Sequence, residues 1–420
     1  MNLSEIKTRE EAIDLLEGYS FERQDEHVQQ KTRRPLVKTY MLETVPQGRK
    51  SISPEKVFAR QGYRLDQVDE SLSKIYDRDK CVGLFEQLMP RHPVVYSLEK
   101  SEDMDRWING LVASSPDFDN LWISGRTFRG LLDFVIENNP SYRFGKVVFQ
   151  HNNIFEDIDI GEPNNDSVQE NEVSPDDPQK EEQEFRIDPD EFIPERKSTR
   201  SVITDKLGEL NRILPAMQAT YAPMLSMSQI RFPSRGKGGH DFNFNGKAVN
   251  RSKSFSEHRL IVKFVLEMYK RTTELTETTA WDRTEKQQDK STGSCFKATP
   301  VLFKFTPVLE QSTFENFIRA TFINKRTNKF HLWGKPLSMG KDKVHVYALD
   351  RHLWQPLYLD ITPESMMILV PKGTCGNTIH RLVTNVQQYL NPGVEAWISD
   401  KSYSDLIKKN CVLESPYERK

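Results

Sequence analysis

The chain has 420 residues, 36% of them apolar and 29% charged, and a formal net charge of −2. A single core seldom outgrows about 250–300 residues, so at least two packed units are expected. The longest apolar runs, Leu260–Leu266 and Met366–Val370, fall far short of the roughly 18 residues of a membrane-spanning helix, which excludes that class and argues against a membrane partner.

In chain order, the N-terminus carries acids and alternating charges where a signal peptide needs a basic start and an apolar middle, so no export is expected. Ile6, Ala12, Ile13, Leu15 and Leu16 give the first helical pattern. Asp105–Ala113 predicts a helix, LWIS at 121–124 a short buried strand, Thr127–Asn138 a helix with Leu131, Leu132 and Val135 inward, and Lys146–Gln150 a strand. Helices alternating with strands predict an α/β domain over 1–155, with parallel pairing.

Residues 156–197 are rich in Asp, Glu, Asn, Pro and Gln and nearly lack large apolar side chains before Phe185. So little apolar surface cannot offset the entropy of ordering, so the stretch is expected to be an acidic disordered linker between two domains. Charge divides with it. Residues 1–155 hold 22 Lys and Arg against 24 acids, residues 156–195 hold 2 against 16, and residues 196–420 hold 35 against 21. A near-neutral whole thus conceals a basic C-terminal half beside a strongly acidic strip.

The C-terminal domain, 198–420, is expected to be α+β. It should open with a helix over Val202–Leu214, stopped by Pro215. Ser254-Phe255-Ser256-Glu257 and Ser312-Thr313-Phe314-Glu315 have capping-box spacing and predict two further helix starts. A hairpin is expected from Lys343–Asp350 and Gln355–Ile361, then a strand at Met366–Val370, a helix at Asn377–Leu390 and a strand at Val394–Ser399. The whole fold is therefore α+β / α/β in two domains. GRTFRGLLDFV at 125–135 and GNTIHRLVTNV at 376–386 align in register, as a duplicated unit would or as any β–turn–α unit would.

The stretch SRGKGGHDFNFNGKAVNRSKS at 234–254 draws the functional reading. Ten Lys or Arg lie between Arg231 and Arg271 against three acids, with glycines at 236, 238, 239 and 246. Arg235, Lys237, Lys247, Arg251, Lys253, Arg259 and Lys263 would meet phosphates, while Phe242 and Phe244, on one face of an extended strand, would stack on bases. The plainer alternative is a solvated loop whose phenylalanines fill the core. The turn at 370–378 offers a second anion site through Lys372, Thr374, Gly376 and Thr378 ahead of a helix, or simply a tight turn. No P-loop or GxGxxG is present, and SxxK at 338–341 lacks its companion motifs. His345, Asp350, His352 and Asp360 on the hairpin carry metal-ligating chemistry, but strand parity turns His345 away from Asp350, so no metal and no cofactor is expected.

Together these features predict a cytosolic, non-catalytic nucleic-acid-binding protein, DNA or RNA, acting as an accessory subunit of a larger complex. The alternatives are a metal-dependent phosphodiesterase, nuclease or nucleotide-acting enzyme, and a scaffold whose basic half binds an acidic protein partner. The acidic strip would act as a solubilising spacer or would lie across the basic half and compete with phosphate.

Overall fold

The computed structural model describes residues 3–28, 34–45, 53–155, 198–281, 285–289, 293–297, 300–323 and 329–410. The fold is a mixed α+β arrangement of two large antiparallel sheets and the helices packed on them. The acidic stretch 156–197 lies outside the described residues.

The first sheet contains β1 (Lys38–Glu43), β2 (Tyr63–Gln67), β3 (Leu72–Asp77), β4 (Lys80–Glu86), β5 (Val94–Ser97), β6 (Asp119–Asn120), β7 (Phe144–Asn152), β8 (Ser198–Lys206), β9 (Met227–Pro233), β10 (Gly239–Asn243) and β11 (Lys247–Asn250). Its order is β2-β3-β4-β5-β1-β11-β10-β9-β7-β8, with β6 against β1, and all of its pairings are antiparallel. The parallel α/β unit expected over 1–155 is therefore corrected. LWIS is extended but unladdered, held by Leu121 N donating to Met41 O and Ile123 N to Phe244 O. The sheet also runs across the acidic stretch: β7 pairs with β8 from Asn152↔Ser198 to Phe144↔Lys206, so strands from both sides of 156–197 share one sheet.

A hairpin of β12 (Glu285–Asp289) and β13 (Gly293–Lys297) stands apart. The second sheet contains β14 (Val301–Lys304), β15 (Leu332–Ser338), β16 (Val344–Asp350), β17 (Gln355–Ile361), β18 (Ser365–Leu369), β19 (Glu395–Ile398) and β20 (Lys401–Ser402), in the order β15-β16-β17-β18-β14-β19-β20. The β16–β17 hairpin, closed by Asp350↔Gln355, is where alternation of buried and outward residues places it. Both β18 and β19 run antiparallel to β14 between them, so β18, the following helix and β19 make a crossover split by one strand.

The helices are α1 (Arg9–Val28), α2 (Pro54–Arg60), α3 (Ser101–Ser114), α4 (Gly125–Glu137), α5 (Leu207–Thr220), α6 (Phe255–Trp281), α7 (Gln311–Ile318), α8 (Asn377–Tyr389) and α9 (Tyr403–Asn410). Val202 to Lys206 belong to β8, because STRSVITDK alternates at period 2 and pairs with β7; α5 then runs through Pro215 to Thr220. The box at 312–315 is displaced too, since α7 begins at Gln311 after Glu310. α4, α6, α8 and α9 pack on one another and on strands of both sheets. One apolar core accordingly runs from Leu16 and Met41 through Phe128, Phe242 and Val265 to Ile361, Val386 and Ile398. A second, built by Val57, Phe58, Trp107 and Leu111, seals α2 and α3 onto the other face of the first sheet.

Candidate anion-binding cleft

The cationic stretch folds as a β-meander leading into α6. Gly238, at φ +88°, makes the turn into β10 where a Cβ would collide with the Arg251 carbonyl oxygen. Alternation along β10 sends Phe242 into the core, edge-to-face on Phe232 at 5.2 Å. Phe244 packs on the same core and tilts against Trp122. The expectation that Phe242 stacks on bases is corrected, because a side chain that fills the interior cannot present its ring to solvent; Phe244 is half-buried, with one side of its ring taken up by the core and Trp122.

Most cations of the stretch are already answered by carboxylates from elsewhere in the fold. Asp241, buried beneath the sheet surface, accepts from Arg231 at 2.5 Å and from Arg251 at 2.6 Å. Burial would raise its carboxyl, but the two guanidiniums prevail and hold it below the usual carboxylate range. Lys247 is bound to Asp105 at 2.6 Å, and Arg259 to the buried Glu86 at 2.5 Å. Lys263 is exposed on the outer face of α6.

Three cations of the stretch come together. Arg235 and Lys237 on the β9–β10 loop and Lys253 before α6 line an open cleft of about 490 Å³, shared with Ser256 and Leu260. The amides at the helix start are already engaged: Glu257 N donates to Ser254 Oγ at 3.1 Å, and Ser256 N donates to Glu17 Oε2 at 2.7 Å. Half of the predicted capping box therefore forms, while the Glu257 carboxylate turns instead to accept from Arg235 N at 2.7 Å. Burial would raise Glu257, yet His240 and the Arg235 amide outweigh it and keep it ionised. Lys253 Nζ also lies 4.4 Å over the Phe21 ring; the cleft gathers three cationic side chains around Glu257, and an anion entering it would meet side chains rather than helix amides.

The 370–378 turn does not offer an anion site. Gly376 N donates to Glu277 Oε1 at 2.8 Å, so the chain supplies its own carboxylate at this helix start. Thr374 Oγ1 donates to Pro371 O at 2.8 Å and Thr378 Oγ1 donates to Asp350, both buried. Lys372 alone is exposed. The hairpin groups are likewise separated: Asp350 is buried on Arg381, His352 Nδ1 meets Pro116 O at 2.9 Å, and His345 faces outward beside Asp360 at 3.7 Å. Among the described residues no group of three His, Cys, Asp or Glu is placed to hold a metal ion.

What sequence reading missed is a buried polar spine. Arg381 of α8, with no exposed side-chain surface, donates to Asp119 of β6 and to Asp350 of β16, joining the two sheets through one helix. Asp119 also accepts from Asn377 Nδ2 at 2.9 Å and Trp122 Nε1 at 3.0 Å. Arg91 similarly grips Glu43 of β1 and Glu277 of α6, with Cys375 Sγ at 3.1 Å. Burial would raise Glu43, but Arg91 and His92 take its carboxyl down to about 2. A run of His, Arg, Thr, Asn and Gln inside α8 was the available signal: such a helix, if central, must find its polar partners within the protein.

The described residues contain no helix long and apolar enough to cross a membrane. No solved structure matches the chain. It is similar to a protein of Methanocaldococcus jannaschii named as the uncharacterized protein MJECL33, at 24% identity over 382 residues and 84% of each chain. Residues 1–404 match the family described as MJECL33-like protein, and the chain belongs to that family.

Proposed function

We propose that this protein is a cytosolic, non-catalytic polyanion-binding subunit whose ligand is nucleic acid, engaged through the cleft at the start of α6. The observation that carries the reading is the convergence of Arg235, Lys237 and Lys253 on one open cleft. The predicted contact surface shrinks accordingly. Lys247, Arg251 and Arg259 serve the fold, and Lys263 adds charge along the helix.

The acidic stretch 156–197, which connects the paired strands β7 and β8, contributes in this reading a concentration of negative charge covalently linked to the basic region. Removing residues 157–190 should leave binding unchanged if the stretch is a spacer, and should tighten it at low salt if it competes with phosphate.

The test is a gel-shift titration across salt concentrations. Each duplex phosphate neutralised adds about −0.9 to the slope of log K against log salt. Lys237→Glu with Lys253→Glu should flatten that slope, whereas Lys372→Glu should leave it unchanged. Identical slopes for the wild type and the double variant would refute the assignment of the cleft. Salt-sensitive capture of an acidic protein without any nucleic-acid binding would make the chain a scaffold instead.

A further inference from the structure

The outward face of the second sheet carries a set of large side chains that the core does not use. Trp333 is 43% exposed, Trp354 43%, Tyr347 60% and Tyr358 38%. The strand register fixes their arrangement. Tyr347 of β16 stands opposite Tyr358 of β17, with ring centroids 5.2 Å apart, and opposite Lys335 of β15 on its other side. Trp333, two positions along β15 from Lys335, tilts against Trp354 at 4.9 Å. Because side chains two apart share a face, these groups form one surface.

Trp354 reaches that surface from a costly backbone. Leu353 and Trp354 both adopt left-handed φ, +61° and +51°, a region that bulky residues avoid. The turn is held there by Leu353 N and His352 Nδ1, both meeting Pro116 O at 2.9 Å, and by Arg351 N on His331 O at 3.0 Å. Strained loops that persist by such anchoring cluster at functional positions. Here the result is an indole kept outside the core.

Charge on the face is one-sided. The Arg351 guanidinium lies 5.4 Å from the Trp333 ring centroid, and Lys335 is exposed between the aromatic pairs. The carboxylates of the same face are neutralised: Asp360 by Lys343 at 3.0 Å and Glu395 by Arg126 at 2.8 Å. A greasy protein partner needs no cations between rings, and an acidic one needs no open rings. The Arg351 guanidinium is held in place by donating to Ala113 O, and flat π-faces interleaved with Lys335 and Arg351 match bases that stack while their phosphates meet Lys and Arg.

We infer that the outer face of β15, β16 and β17 is a stacking platform for single-stranded nucleic acid, with Trp333, Trp354, Tyr347 and Tyr358 receiving bases and Lys335 and Arg351 meeting the backbone. The platform lies on a different sheet from the α6 cleft and does not depend on it. It supplies exposed aromatic faces, which Phe242, buried in the core, and Phe244, packed against it, do not.

The test uses the full chain and its intrinsic tryptophan fluorescence, titrated with a 20-nucleotide oligothymidylate and with a 20-base-pair mixed-sequence duplex. The single strand should quench the emission and bind at least about 10-fold more tightly than the duplex. Trp333→Ala should loosen the single strand by about 5- to 150-fold, the range for loss of one stacked base, while Trp333→Phe retains most of the affinity. Unchanged far-ultraviolet circular dichroism in both variants excludes misfolding. Lys237→Glu with Lys253→Glu should change the salt slope of duplex binding and leave the quench intact, so failure of the cleft and failure of the platform read differently. Equal binding by the Trp333→Ala and Trp333→Phe variants, or equal affinity for strand and duplex, overturns the inference. So does sedimentation showing a dimer that Trp333→Ala and Trp354→Ala dissolve, because the face would then belong to a second copy of the chain.

Discussion

Replacing Arg381 with Met tests whether the polar spine holds the two sheets together. The guanidinium has no exposed surface and neutralises two buried carboxylates, Asp119 and Asp350. Removing one partner of a buried ion pair costs about 3–5 kcal/mol, because the remaining charge is left without compensation. Asp119 keeps Asn377 and Trp122 as donors, and Asp350 keeps Thr378 and the His352 amide, so the effect should not exceed that range. With an unfolding entropy of about 2.1 cal/mol/K per residue over 420 residues, the midpoint of a cooperative thermal transition falls by roughly 3–6 °C.

Calorimetry at pH 7 and pH 5 measures this and fixes its cause. Burial pushes the Asp119 carboxyl up and Arg381 is the main group holding it down; with Arg381 gone, a carboxyl raised above its unfolded value would contribute favourably below that value and lose the contribution as pH rises through the folded one. The deficit of the Arg381→Met variant should therefore shrink at pH 5. Adding Asp119→Asn and Asp350→Asn should also recover part of the loss. A midpoint within 1 °C of wild type at pH 7, or a deficit that grows at pH 5, would refute the reasoning.

Three further outcomes follow from the geometry. Asp241→Asn should cost about 1–3 kcal/mol through weakened bonds to Arg231 and Arg251, and should tighten nucleic-acid binding at low salt by releasing two cations; denaturant midpoints and gel shifts read the two effects. Gly238→Ala, at φ +88° against the Arg251 carbonyl, should lose at least about 2 kcal/mol. Gly236→Ala, whose Cβ would meet only Ser234 Oγ at 3.8 Å, should stay within about 0.5 kcal/mol in the same urea titration. On acidification, His380 is held down to about 3 by burial, against its ordinary 6.5, so the unfolded chain takes up a proton that the folded chain refuses. Stability should fall by about 1.4 kcal/mol per pH unit from this group between pH 6.5 and 3, and His258, also lowered by burial, acts in the same direction. Parallel stability curves for wild type and His380→Gln across that window would contradict this.

Local signals in the sequence located most of the elements near the C-terminus. The alternation of VHVYALD and QPLYLDI set the β16–β17 hairpin, and the Leu and Val spacing after Gly376 set α8. What failed depended on distant partners. Period-2 alternation placed Phe242 and Phe244 on one face but could not say that α6 and the first sheet would close over it. Counting cations gave a charge surplus without showing that Asp241, Asp105 and Glu86 would meet Arg251, Lys247 and Arg259 in space. Val202–Lys206 read as a helix start because the strand's partner, β7, lies across the acidic stretch. Of the cations between Arg231 and Arg271, Arg235, Lys237 and Lys253 line one cleft.

The β7–β8 ladder has a consequence for handling the protein. Nine register pairs, from Asn152↔Ser198 to Phe144↔Lys206, clamp the chain on both sides of residues 156–197. A protease nick within that interval should therefore yield two fragments that stay associated and elute as one species until denatured. By the same logic, new termini opened there create a natural position for circular permutation or for inserting a reporter, since the sheet rather than the covalent connection holds the flanking strands side by side.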